Sequence, residues 1–91
     1  MAAKRTRTDI VCDILSVMQA KQGRMKPTHI MYKANLSHDQ LTSYLEELLG
    51  KELIEKVASD ADRQYFLVTN KGEKFAEKLR EMRQFEKSFG F

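Results

Sequence analysis

The side chains on which catalysis could be built are few in this chain. His29 and His38 are its histidines, and Cys12 is its one cysteine. Neither histidine has a second ligand at i,i+4 with a glutamate between. There is no cysteine pair for zinc, no serine–histidine–aspartate set and no glycine-rich phosphate loop. Cys12 falls at the edge of an apolar stripe with no histidine or carboxylate pattern beside it, which is how a packing thiol reads. His29 stands beside the apolar stripe of its own segment, as a packed or solvent-edge imidazole would. Catalysis, a metal and a cofactor are therefore not expected. What the chain does offer is hydrogen bonding and charge neutralisation. Ser37, His38, Gln40, Thr42 and Ser43 crowd into one stretch, with Lys4, Arg5, Arg7, Lys33, Lys56 and Arg63 distributed around it. Amide, imidazole and hydroxyl groups can meet base edges, and lysine and arginine can meet phosphate oxygens.

Residues 26–49, KPTHIMYKANLSHDQLTSYLEELL, must position that polar set. Ile30, Met31 and Ala34 put an apolar face on a first short helix. Asn35 and Leu36 interrupt it, and Ser37 opens a second. Ser37 with Gln40 fits a capping box, in which the hydroxyl accepts from the Gln40 amide and the Gln40 side chain reaches back. Leu41, Tyr44, Leu45, Leu48 and Leu49 keep the helical period, and Gly50 is the expected stop. Two short helices joined by a tight turn are the layout of a helix-turn-helix.

Upstream, residues 1–7 (MAAKRTR) have no apolar anchor and read as a basic arm. Its two readings are a disordered tail, or a segment that lays Lys4, Arg5 and Arg7 along phosphates. Thr8 or Asp9 can cap a helix running to about Lys21, with Ile10, Val11, Ile14, Leu15 and Met18 as its buried stripe and Gln22-Gly23 as its end. Arg24-Met25-Lys26 reads as an extended link. Pro27 suits the first turn of a helix, leaving Thr28 beside free backbone amides, a natural phosphate seat. After Gly50 the period changes to two. Leu53–Val57 and Gln64–Val68 flank a polar turn at residues 58–63, which makes a hairpin. Lys56, Arg63 and Gln64 are its residues best able to reach a backbone. Thr69 or Asn70 caps a last helix, Asn70 pairing with Glu73 as a second capping box. There Phe75, Leu79, Met82 and Phe89 keep heptad spacing, Glu86 occupies a seam position, and Phe85 and Phe91 add apolar weight near the end. This helix extends past what the small body can cover, so its outer half is expected to pair with a second copy.

The chain has 91 residues, 42% hydrophobic and 32% charged, which bounds it to one domain with a thin core. No apolar run approaches the roughly 20 residues that span a bilayer. The N-terminus lacks the apolar core of a signal peptide, and a lone cysteine suits a reducing compartment. A cytoplasmic, nucleoid-associated location is the expectation, without membrane contact. The net charge is +3, but it is unevenly placed. Residues 1–36 carry Lys4, Arg5, Arg7, Lys21, Arg24, Lys26 and Lys33 against Asp9 and Asp13. Residues 37–57 carry Lys51 and Lys56 against Asp39, Glu46, Glu47, Glu52 and Glu55. The positive field lies toward the start of the chain, where a polyanion could use it.

Helix, short link, helix-turn-helix, hairpin, helix is winged-helix order: mainly α with a small β-hairpin, and a C-terminal dimerisation helix. The expected division is arm 1–7, winged-helix domain 8–68 and amphipathic helix 69–91. The segments THIMYKANLS, LTSYLEELLGKELIE and YFLVTNKGEKF further resemble an archaeal family of small winged-helix DNA-binding proteins, transcriptional regulators and chromatin-like proteins among them. The resemblance covers about residues 8–80. It implies double-stranded DNA as partner and a homodimer formed through a C-terminal coiled coil, here through Phe75, Leu79, Met82, Phe85 and Phe89. The family often has a bulky residue where this chain has His38.

On that reading the helix at 37–49 enters the major groove with its N-terminal half leading. Gln40 could pair with adenine, Ser43 with either edge, and His38 with guanine or phosphate. Thr28, Lys33, the arm and the wing would fix register. Asp39, Glu46 and Glu47 put negative charge on the same helix, and no arginine is available there for guanine. Modest sequence discrimination and a large backbone contribution follow. The alternative is a winged-helix module that binds proteins and has no DNA affinity, since fold alone does not fix function.

Overall fold

The computed structural model describes residues 5–21, 25–58 and 64–90. Lys4, Arg63, Phe91, the Gln22-Gly23 helix end and the turn at 59–63 lie outside them. The elements run α1 (Arg7–Lys21), α2 (Pro27–Ala34), α3 (His38–Gly50), β1 (Ile54–Ala58), β2 (Gln64–Val68) and α4 (Asn70–Ser88). The strands pair antiparallel, with Ile54 opposite Val68 and Lys56 opposite Phe66. Met25, in the link before α2, exchanges both backbone hydrogen bonds with Phe66 at 2.9 Å and adds a one-residue bridge on the other side of β2. This is a four-helix winged architecture with a two-stranded hairpin.

The core forms where the apolar stripes meet. Ile14, Leu15 and Met18 of α1, Ile30 of α2, Leu48 of α3 and Ile54 of β1 are almost wholly buried. Complete burial of such a side chain contributes about 1.5–3 kcal/mol. Cys12 is buried too, as a packing residue would be. From α4, Ala76 joins this core and Leu79 is only 8% exposed. Leu79 therefore packs within its own subunit, beside Val11, Leu48 and Phe75, and is withdrawn from the expected dimer seam.

The caps show which local rules won. Ser37 and Gln40 form the reciprocal box: the Ser37 hydroxyl accepts from the Gln40 amide at 3.2 Å, and Gln40 Oε1 accepts from the Ser37 amide at 3.0 Å. At α1 the cap is Thr6, not Thr8 or Asp9. Its Oγ1 accepts from the Asp9 amide at 3.1 Å, and the Asp9 carboxylate accepts from the Thr6 amide at 3.0 Å. The helix thus begins at Arg7, one residue inside the expected arm. Thr69 caps α4 by accepting from the Gly72 amide at 3.0 Å, and the Asn70–Glu73 box does not form.

Helix α3 ends at Gly50 as expected, but Gly50 is not the left-handed residue of the ending. Glu52 takes the left-handed conformation, φ 61°, while the Leu53 amide donates to Leu48 and the Glu52 amide to Leu49, each at 3.0 Å. That is a Schellman ending with a glutamate where glycine is usual. The strand consequently starts at Ile54, one residue later than expected. At the other end of the hairpin, Gly72 lets the first turn of α4 approach this ending. A Cβ there would lie 2.0 Å from the Leu53 carbonyl oxygen.

Candidate nucleic-acid interface

Helix α3 buries Leu41, Tyr44, Leu45 and Leu48 against the body. At 100° per residue, the ridge opposite that face carries Asp39, Ser43 and Glu46. His38 and Thr42 flank the ridge on the hairpin side, and Gln40 and Glu47 flank it on the α1 side. A groove of about 280 Å³ runs between α3 and the wing, with Leu41, Leu45 and Phe66 as its floor. His38, Thr42, Lys56 and Gln64 stand along it. Thus the fold brings His38, Thr42 and Lys56 from separate segments into one outward groove. Pairing of Lys56 with Phe66 across the hairpin fixes that placement.

The fold also ties down groups that the sequence offered as base readers. Gln40 Oε1 and Ser37 Oγ are engaged in the capping box, so a two-point contact from Gln40 to adenine requires opening the cap. The Thr42 hydroxyl donates to the His38 carbonyl at 2.9 Å. Ser43 is exposed and has no side-chain bond within the described residues. His38 Nδ1 lies 3.7 Å from the Asp39 carboxylate, both side chains being almost fully exposed.

The arginines of the expected arm fold back instead. Arg7 pairs with the Glu47 carboxylate on α3, and its guanidinium lies 5.4 Å from the Tyr44 ring centroid. The hydrogen bond to Glu47, then its charge, holds the Arg7 guanidinium above its ordinary pKa. Arg5 donates to the backbone carbonyls of Ala34 at 2.7 Å and Asn35 at 2.8 Å, and to the Asp13 carboxylate at 3.1 Å. In this structure Arg5 and Arg7 are thus engaged within the fold and do not extend as a free arm. Local sequence could not show this, because the Ala34, Asn35 and Glu47 partners lie 29 to 40 residues away.

Thr28 and Lys33 are exposed on α2. Lys26 precedes that helix without a side-chain cap, so its first turn presents unbonded amides beside Thr28. Tyr32 is 76% exposed on the same face. It was not singled out from sequence, although its i,i+4 spacing from Thr28 places it opposite Ile30 and Ala34. On α4, Met82, Phe85 and Phe89 are 58%, 64% and 63% exposed, with the two rings 4.7 Å apart. Among the described residues no helix is long and apolar enough to cross a membrane.

Several solved structures share this architecture. Sso10a-2, a DNA-binding protein from Sulfolobus solfataricus, superposes with a TM-score of 0.83 at 20% identity, over 93% of this chain and 85% of that one. F93 from STIV, a winged-helix DNA-binding protein, gives 0.74 at 20% identity, over 91% and 92%. MepR, a transcription regulator of the Staphylococcus aureus multidrug efflux pump MepA, gives 0.76 at 18% identity, over 89% of this chain but 62% of that one. No curated protein sequence matches the chain. These likenesses establish a shared fold. The sequence profile of the winged helix-turn-helix family matches residues 4–87, and the chain belongs to that family.

Proposed function

We propose that this chain binds double-stranded DNA as a homodimer, acting as a regulator or chromatin-like protein of the winged helix-turn-helix class. The observation that carries the reading is the groove between α3 and the hairpin. There His38 and Thr42 of a capped, outward helix stand beside Lys56 and Gln64 of the wing. A helix in the major groove with a cationic wing on the flanking phosphates is how this layout is used. The similar folds of Sso10a-2 and F93, both described as DNA-binding, and of the regulator MepR support the same reading. Pairing of Arg7 with Glu47 removes one of the negative charges that would oppose a polyanion.

Residues 8–68 form the binding unit in this proposal, and residues 69–91 the dimerisation helix. Met82, Phe85 and Phe89 give that helix an exposed apolar stripe, which the 40% exposed Phe75 continues where the helix meets its own body. A second copy covering it would set the spacing of two recognition helices on two half-sites.

The ridge Asp39–Ser43–Glu46 favours a second reading, a module that docks a cationic protein surface. Fluorescence anisotropy on a random duplex of about 30 base pairs, across a salt series, separates the two. DNA binding predicts a linear fall of log K with log salt, of slope about −3 to −6. Absence of binding at low salt would sink the DNA reading in its general form. Sedimentation of Phe85→Ser/Phe89→Ser against the native chain tests the dimer: the native chain should sediment as a dimer and the variant as a monomer.

A further inference from the structure

We propose that Arg5 is a positioning residue for the helix-turn-helix: its guanidinium fixes the turn that aims α3 and ties that turn, through Asp13 and Arg83, to the C-terminal helix. The proposal rests on the DNA-binding reading for its consequence, and on geometry for its substance. Ala34 is the last residue of α2, and Asn35 is its left-handed cap, φ 58°. The carbonyls at a helix end lack intrahelical donors. Arg5 supplies donors to both, Nη1 to Ala34 at 2.7 Å and Nη2 to Asn35 at 2.8 Å. Bonds from a charged fork of fixed shape are short and directional. Only Asn35, Leu36 and Ser37 separate α2 from α3. Fixing the first of them therefore fixes the angle at which the recognition helix leaves the body.

The third bond of the fork goes to Asp13 on α1, at 3.1 Å. Asp13 also lies 4.0 Å from Arg83 of α4, whose Nε is 3.6 Å from Asp9. Asp9 in turn closes the Thr6 capping box next to Arg5. One ionic chain thus runs from the turn, across α1, to the helix proposed to carry the partner subunit. Movement of α4 would reach the turn through charges that are already paired.

Lysine at position 5 keeps the charge but has no planar fork for two carbonyls and a carboxylate. The full chain should therefore be compared with Arg5→Ala and Arg5→Lys, each normalised to its folded fraction by circular dichroism. Both variants should weaken binding to the random duplex about tenfold, with an unchanged salt slope. In the absence of DNA, both should speed amide exchange at Asn35 and Leu36 about tenfold, while Ile14 and Leu15 stay protected. Native affinity in Arg5→Lys, or a slope shallower by about 0.9 in Arg5→Ala, would make Arg5 a phosphate contact and overturn the proposal. Unaltered exchange at Asn35 and Leu36 would overturn it as well. If the native chain fails to bind DNA, the functional reading falls, yet the exchange data still decide the positioning role. Asp13→Asn keeps both carbonyl bonds and removes the shared carboxylate. It should raise exchange at the turn by a smaller factor, and no change there would break the link to α4. This variant also carries the test if Arg5→Ala does not fold.

Discussion

Replacing Gly72 by alanine should unfold this protein more readily than a helix-propensity argument allows. Glycine to alanine inside a helix ordinarily stabilises by about 1 kcal/mol. At position 72 the added Cβ would stand 2.0 Å from the Leu53 carbonyl oxygen, 2.8 Å from a Val68 methyl and 3.0 Å from the Leu53 carbonyl carbon. The first obstacle is backbone. It is held on one side by the Leu53 amide donating to Leu48 at 3.0 Å, and on the other by the Thr69 amide donating to the Leu53 oxygen at 3.1 Å. Relief therefore means moving the start of α4 away. That movement strains the packing by about 1–3 kcal/mol and weakens the Thr69–Leu53 bond, which costs about 1–3 kcal/mol if a group is left unsatisfied. Against the propensity gain, a net loss of about 1–5 kcal/mol follows, or roughly 5–40 °C in Tm for a domain of this size. Gly50 is the internal control, because a Cβ there meets nothing within 4 Å. Gly50→Ala should raise stability by about 0.5–1 kcal/mol. Thermal and urea unfolding of the two variants should move in opposite directions. A Gly72→Ala protein as stable as the native chain would refute the close approach.

Glu52→Gly should stabilise by about 1 kcal/mol, since glycine adopts the left-handed conformation at the α3 ending without a Cβ penalty; a lower urea midpoint would contradict this. Glu47→Gln should tighten DNA binding by about twofold to fivefold, by releasing Arg7 and removing a negative charge from α3; weaker binding in the salt-series assay would count against the interface as drawn. The Asp9 carboxyl is held below the ordinary carboxylate range, first by the Thr6 backbone amide and then by the Thr6 side chain. Stability from this group is present above the unfolded pKa of about 4 and is lost as pH falls through the lower folded value. Unfolding curves should therefore hold level down to about pH 5 and decline below about pH 4, with a smaller acid decline in Asp9→Asn.

Much of the architecture was legible because it is written in neighbouring residues. Ser37 and Gln40 stand at capping-box spacing, and their reciprocal bonds depend on nothing distant. The alternation of Gln64–Val68 likewise announced a strand. The misplaced boundaries share a different cause. Thr6 and Thr8 are both cap residues, and what favours Thr6 is an aspartate at the third helical position to return the bond. Gly50 does end the helix, but the left-handed position that glycine usually supplies falls two residues later. The buried Leu53, whose amide donates to Leu48, draws that left-handed turn to Glu52. Leu79 kept heptad spacing with Met82, yet α1 and α3 claim it once the chain has closed on itself. Arg5 and Arg7 were beyond local reading altogether. A basic residue near a chain end has the same appearance whether it awaits a phosphate or already holds a carbonyl across the fold.

The rung between Met25 and Phe66 fills the inner side of β2, so β1 is the outer strand of this small sheet. An outer strand carries unpaired amides and carbonyls to which another chain can add. Here the strand is five residues long, with charged Glu55 and Lys56 exposed near its start. Shortness and charge both oppose growth of the sheet from molecule to molecule. The outer strand of this hairpin is therefore a poor template for a strand from another copy.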